Sequence, residues 1–218
     1  MKLFKNIKKW LENQAHLFYL FLLILIVPNI ILCFTEPMPI VAKVCNVLLP
    51  FAFYYLLMTL SRDCGKMFWI LFLFIFFGAF QIVLLYLFGQ SIIAVDMFLN
   101  LVTTNSSEAM ELLDNLVPAL VSVIILYIPA LILAAISIIK KRKLSLEFIR
   151  RERDKAWIAL LIGFISLGAA YGLDKRYELK SDLYPANVCY NVALAFQRNA
   201  QTRTYHRTSE NFTFNAQP

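Results

Sequence analysis

Five long apolar runs, separated by short polar stretches, set the pattern of this chain. They fall at residues 17–34, 44–60, 68–88, 116–139 and 156–173. Each is close to the ~20 residues that an α-helix needs to cross the ~30 Å hydrocarbon core of a bilayer. The pattern predicts an all-α polytopic membrane protein with five transmembrane helices, and interfacial helices after spans three and five. Pro28-Asn29 interrupts the first run and is expected to break its helix, with neighbouring helices satisfying the freed backbone. The third run carries seven Phe and a lone Gln81, which is expected to bond a neighbouring helix. In the fifth, Gly168 and Gly172 stand four apart, a spacing that suits close helix packing.

The stretches between the runs complete the layout. Residues 1–15 place Leu3, Phe4, Ile7, Trp10 and Leu11 at helical spacing with Lys between them, as in a helix lying on the cytoplasmic membrane surface. Residues 35–40, with Pro37 and Pro39, form a tight outer turn, and 61–66 a short inner loop. Residues 89–115 make the largest outer loop, and 140–155 a strongly basic inner one that anchors topology on anionic lipid. Residues 16–173 are thus the membrane domain. Residues 174–218 are an outer helix and linker. That helix is expected over 185–199, with Val188, Cys189, Val192 and Phe196 along one stripe resting on the membrane or on another domain.

Composition agrees with this layout. The chain is 60% hydrophobic and 15% aromatic, with a mean hydropathy of +0.66. A soluble domain runs nearer ~45–50% apolar. The net charge of +7 does not point to nucleic acid, because fourteen of the 21 Lys and Arg lie in segments 1–9, 61–66 and 140–155. That is the positive-inside distribution. It places the N-terminus on the cytoplasmic side and residues 174–218 outside. The four Cys show no C-x-x-C spacing. They read as buried free thiols, although Cys33 and Cys45 could approach each other near one membrane face. No metal site, no Ser/His/Asp or Cys/His set and no phosphate-cradling glycine loop is recognisable. The near absence of ionisable residues from the spans argues against a transporter or channel.

The polar island at residues 96–115 is the one candidate site. Asn100, Thr104 and Glu108 are spaced four apart. On a helix each such step turns only about 40°, so an amide, a hydroxyl and a carboxylate share one face beside the membrane. Such a face could hold a polar, cationic head group. The same stretch carries a second reading, in which Asn105 and Glu108 form a capping box that starts a helix at Ala-Met-Glu-Leu-Leu.

The segment Asn100-Leu-Val-Thr-Thr104-Asn105-Ser-Ser-Glu108-Ala109-Met-Glu111-Leu112-Leu113 resembles the N-x-x-[E]-T-N-x-x-E-A-x-E-L pattern of bacterial phosphoethanolamine transferases, the lipid A-modifying family that includes the mobile colistin-resistance enzymes. The five-span layout, the large loop after span three and the Tyr-Pro-x-Asn helix after span five extend the resemblance over the whole chain. The family implies phosphatidylethanolamine as donor, a lipid A phosphate as acceptor, and Asn100, Thr104 and Glu108 as donor-binding residues. It also implies a bacterial inner membrane, with residues 174–218 in the periplasm, and a periplasmic sulfatase-like catalytic domain with a Thr nucleophile and zinc. Thr103 stands where the family often has Glu. The Gly-Glu-Thr strand and the Asp-His zinc ligands do not occur in this sequence. The expectation is a membrane domain with no cofactor of its own, inactive alone, whose partners are membrane lipid and its own C-terminal catalytic domain. The alternative is a non-enzymatic lipid-binding or interaction protein on the same scaffold.

Overall fold

A computed structural model describes residues 10–88 and 106–210. The helices are α1 (Gln14–Thr35), α2 (Ile40–Met58), α3 (Cys64–Ile70), α4 (Phe72–Phe88), α5 (Ser106–Ile139), α6 (Leu146–Leu173), α7 (Leu179–Asp182) and α8 (Ala186–Glu210). No strand occurs among the described residues. Four helices are long and apolar enough to span a membrane: α1, α2, the Val117–Ile139 part of α5, and α6. The third apolar run is not one straight helix: α3 and α4 meet at a 60° bend, and together they make up to a fifth span.

α1 is the central helix, packing against α2, α3, α4 and α5, while α2 packs in turn on α6. Its central place explains why it buries a broad face, including Leu17, Phe18, Phe21, Leu22 and Leu25, while Tyr19 and Leu23 on the other side are exposed. Pro28 does not break it, contrary to expectation; the helix runs through Pro28 to Thr35. Nor does the bend between α3 and α4 come from a Pro or Gly, since the residues there are Ile70, Leu71 and Phe72. Phe68, Leu71 and Ile75 are all buried across the bend, so both halves keep their apolar side on the shared core.

The basic segments gather at one end of the bundle. The Arg62 carbonyl accepts from the Leu144 N–H, and Arg62 Nε donates to the Leu144 carbonyl, both at 2.8 Å. Arg142 lies 3.9 Å from Glu12, and Ser137 Oγ donates to Gln14 Oε1 at 2.7 Å. The turn at 36–39 and residues 174–187 occupy the other end, called here the hook end.

At the basic end α6 begins earlier than its apolar run. Ser145 caps it by accepting from the Phe148 N–H at 3.1 Å, so 146–155, expected as loop, are helical. This brings Glu152, just ahead of the apolar run, into full burial. It accepts from Tyr55 Oη at 2.5 Å, Lys155 Nζ at 3.0 Å and Arg151 Nε at 3.1 Å. Three donors on one buried carboxylate offset the cost of burying its charge. Glu152→Ala leaves the Tyr55 hydroxyl and both cations without that acceptor and is expected to cost ~3 kcal/mol, a fall of ~6–12 °C in the melting midpoint. An unchanged midpoint would count against the clamp.

Three further expectations are corrected. Gln81 is buried, but neither side-chain atom finds a hydrogen-bond partner on another helix. Gly168 and Gly172 face open space rather than a packed helix; it is Gly163 that lies against Leu49. Of the four cysteines, all free, Cys45 and Cys64 are buried, Cys33 is half-buried and Cys189 is exposed.

Candidate functional site

Asn100 and Thr104, with Thr103 and Asn105, lie outside the described residues. Glu108 lies in the first turn of α5, which starts at Ser106 and runs unbroken into the span. Residues 106–115, in the outer segment where an interfacial helix or a capping-box helix start is expected, are helical and continuous with the span. Glu108 stands nine residues ahead of the apolar window Val117–Ile139. At 1.5 Å per residue that is about 13 Å along the axis, and less along the membrane normal if α5 tilts. The polar head-group layer begins where the hydrocarbon ends and extends outward by ~5–8 Å. At about 13 Å against a layer of ~5–8 Å, the backbone at Glu108 stands several ångströms beyond the head groups when α5 is upright, and nearer them when it tilts.

Because Ile139 is at the basic end, the start of α5 belongs to the hook end, together with residues 174–187. What holds that segment down is a polar seam between the spans. Asn29, fully buried in α1, donates through Nδ2 to the Asn46 carbonyl at 3.0 Å and to the Tyr184 carbonyl at 2.8 Å. Asn46 donates to the Asp182 carbonyl at 2.6 Å and accepts from Tyr177 Oη at 2.7 Å. Tyr184 Oη donates to the Phe74 carbonyl. The reason for the arrangement is that a bent, non-helical stretch cannot satisfy its own backbone groups in an apolar setting. Two span asparagines supply the missing partners.

The seam was missed by sequence reasoning. The signal available was an Asn within each of the first two apolar runs, but their partners lie 155 and 136 residues away along the chain.

Above the seam is an open cavity of about 560 Å³ lined by Glu36, Asp174, Arg176, Tyr177, Asp182 and the turn at 37–39. Carboxylates and a guanidinium around one cavity suit a small zwitterion. Two of the carboxylates already serve local turns, however. Asp174 accepts from the Arg176 N–H at 3.0 Å and Asp182 from the Glu178 N–H at 2.8 Å. Among the described residues no group of three or more His, Cys, Asp or Glu is placed to hold a metal ion.

Comparison with protein-family models, curated proteins and solved structures finds no match to this chain. The function therefore has to be argued from the residues. The expected stripe of α8 gives a mixed result: Val188 is buried and Val192 half-buried, while Cys189 and Phe196 are exposed. The first turns of α8 are seated on α1 and α4, where Val188 and Val192 pack with Leu32, Phe77 and Phe80.

Proposed function

We propose that the chain is the membrane domain of a phosphoethanolamine transferase, which binds phosphatidylethanolamine and presents it to a zinc-dependent catalytic domain for transfer to a lipid A phosphate. The observation that carries the reading is the depth of Glu108. Its carboxylate is suited to the ethanolamine ammonium, and an amide and a hydroxyl such as those of Asn100 and Thr104 to phosphate oxygens. A helix start that stands just outside an apolar span is where such groups meet a lipid head. The hook, at the same end, leads into α8, which supplies a path from the donor site to a domain beyond the bilayer. In this reading the present residues bind and orient the donor. The nucleophile and the metal that activates it belong to the catalytic domain.

Glu108→Gln tests this, because Gln also serves in a capping box but carries no charge. With the chain reconstituted in vesicles of mixed phosphatidylethanolamine and phosphatidylcholine, wild type should co-purify with an excess of the former. A charge-assisted hydrogen bond is worth ~1.5–3 kcal/mol, so the variant should lose that preference by about tenfold or more. Its phosphatidylcholine content and helicity should be unchanged. An undiminished preference would return Glu108 to the role of a cap.

A further inference from the structure

Beneath the hook lie two apolar grooves. The wider, about 410 Å³, runs between α2 and α6, where Phe53 faces Phe164 and Leu167, and is closed by Leu179 and Leu183 of the hook. The narrower, about 310 Å³, runs between α4 and the first turns of α8, where Phe77 faces Val192. Phe74, Pro185 and Cys189 line both, so the grooves meet at one point. Each falls within the size range of ligand pockets. Each is also continuous with the bilayer-facing surface, on which Phe53, Leu73 and Phe164 are exposed.

A cation stands on the hook, next in sequence to a residue that closes the wider groove. Lys180 Nζ lies 5.5 Å over the Tyr190 ring. Its chain neighbour Leu179 and Tyr190's neighbour Cys189 both line the wider groove. The Lys180–Glu178 pair, at 3.5 Å, is half-exposed on both sides. Such a pair is worth little, so the ammonium is free to take an anion.

We propose that the two grooves hold the two acyl chains of a single diacyl glycerophospholipid, straddling Phe74 and Pro185, with its phosphate at Lys180. Two forked apolar channels meeting below one cation match the forked shape of that lipid: two tails, one junction, one anionic group. An extended peptide strand would leave backbone groups unsatisfied against walls that offer them no polar partner. Among the described residues, those that line the site are distinct from the proposed donor face. It reads the phosphate and the tails, not the amine, and so is a lipid site separate from the proposed donor site.

Native mass spectrometry of the full chain, purified in mild detergent and titrated with palmitoyl-oleoyl phosphatidylglycerol or phosphatidylcholine, tests it. One lipid per chain should survive delipidation, with either head group. The single-chain lyso form of phosphatidylglycerol should be retained at least tenfold less. Ala193→Phe, which plugs the narrow groove, and Ala186→Phe, which plugs the wide one, should each cut retention about tenfold, and Lys180→Glu should do the same. Ile125→Phe, on the exposed face of α5 away from both grooves, should leave it unchanged. The proposal is overturned if wild type retains no lipid, if the lyso form is held as well as the diacyl form, if the variants retain as much as wild type, or if a second copy of the chain displaces the lipid. Should Ala186→Phe lose helicity, Ala193→Phe and Lys180→Glu, at exposed positions, decide the matter. Loss of phosphatidylethanolamine preference in Glu108→Gln would leave all of these results untouched.

Discussion

Gly65→Ala is expected to cost the protein about 3 kcal/mol or more, because α3 meets α5 at this glycine with no room for a methyl group. A Cβ at Gly65 would sit 2.5 Å from the Ala134 carbonyl oxygen and 3.1 Å from Ser137 Cβ. The obstacle is backbone, which cannot rotate aside as a side-chain tip can. Overpacking a dense interior costs ~1–3 kcal/mol when side chains can yield, and more when they cannot. The natural control lies on α6: Gly168 and Gly172 face nothing within 4 Å. Ala there should be neutral, or stabilising by the ~1 kcal/mol of helix propensity that separates the two residues. In a chain of this length each kcal/mol moves the melting midpoint by ~2–4 °C. Gly65→Ala should thus melt ~6–12 °C below wild type, while the α6 variants match or exceed it. Identical midpoints for all three would mean that α3 does not approach α5 as described.

Asn46→Leu is expected to release the hook. The substitution keeps roughly the volume of the side chain but removes both the donor to the Asp182 carbonyl and the acceptor for Tyr177 Oη. Tyr177 is almost wholly buried, so its hydroxyl cannot turn to water and is left with only a weak 3.6 Å contact to Cys45 Sγ. Each orphaned group costs ~1–3 kcal/mol in an interior. Interhelical hydrogen bonds in membranes average nearer ~0.6 kcal/mol because the unfolded chain finds other partners there. Two orphaned groups, of which one stays fully buried, put the expected loss at ~2–4 kcal/mol. The loss should be local. Hydrogen exchange at the amides of 177–187 should accelerate by at least tenfold, while the amides of α1 near Phe21 stay protected. Unchanged exchange in the hook would show that Asn29 alone holds it.

These two variants probe features that differ sharply in how far the sequence announces them. The apolar runs were legible because length and hydropathy are local properties, and four of the long helices fall on them. Helix starts were legible only where the cap was read. Ser145 is an ordinary cap, but the charge-dense R-R-E-R-D-K that follows it reads as an inner loop, although residues 146–155 are helical. Pro28 was expected to break α1, but its helix is buried on several sides and tertiary packing prevailed over local preference. The bend at Leu71 has no local signal, because it results from how Phe68 and Ile75 share one core. The seam was illegible for a third reason. Its partners come from three segments far apart in sequence, and nothing in the spacing of Asn29, Asn46 and Tyr184 relates them. The site itself was proposed from spacing, and what the fold adds is the depth and the end of the bundle at which Glu108 stands.

The anchoring of α8 has a mechanical consequence. Val188 and Val192 seat its first turns on Leu32, Phe77 and Phe80, and Phe196, further along, is exposed. With 25 residues the helix is about 37 Å long. It is a lever whose fulcrum is the Asn29–Asn46 seam. A ten-degree tilt there sweeps the tip through about 6 Å. Small rearrangements among a handful of buried amide groups are thereby geared up into a displacement the size of a lipid head, and the tightness of that fulcrum sets how far anything borne on the arm can swing across the membrane surface.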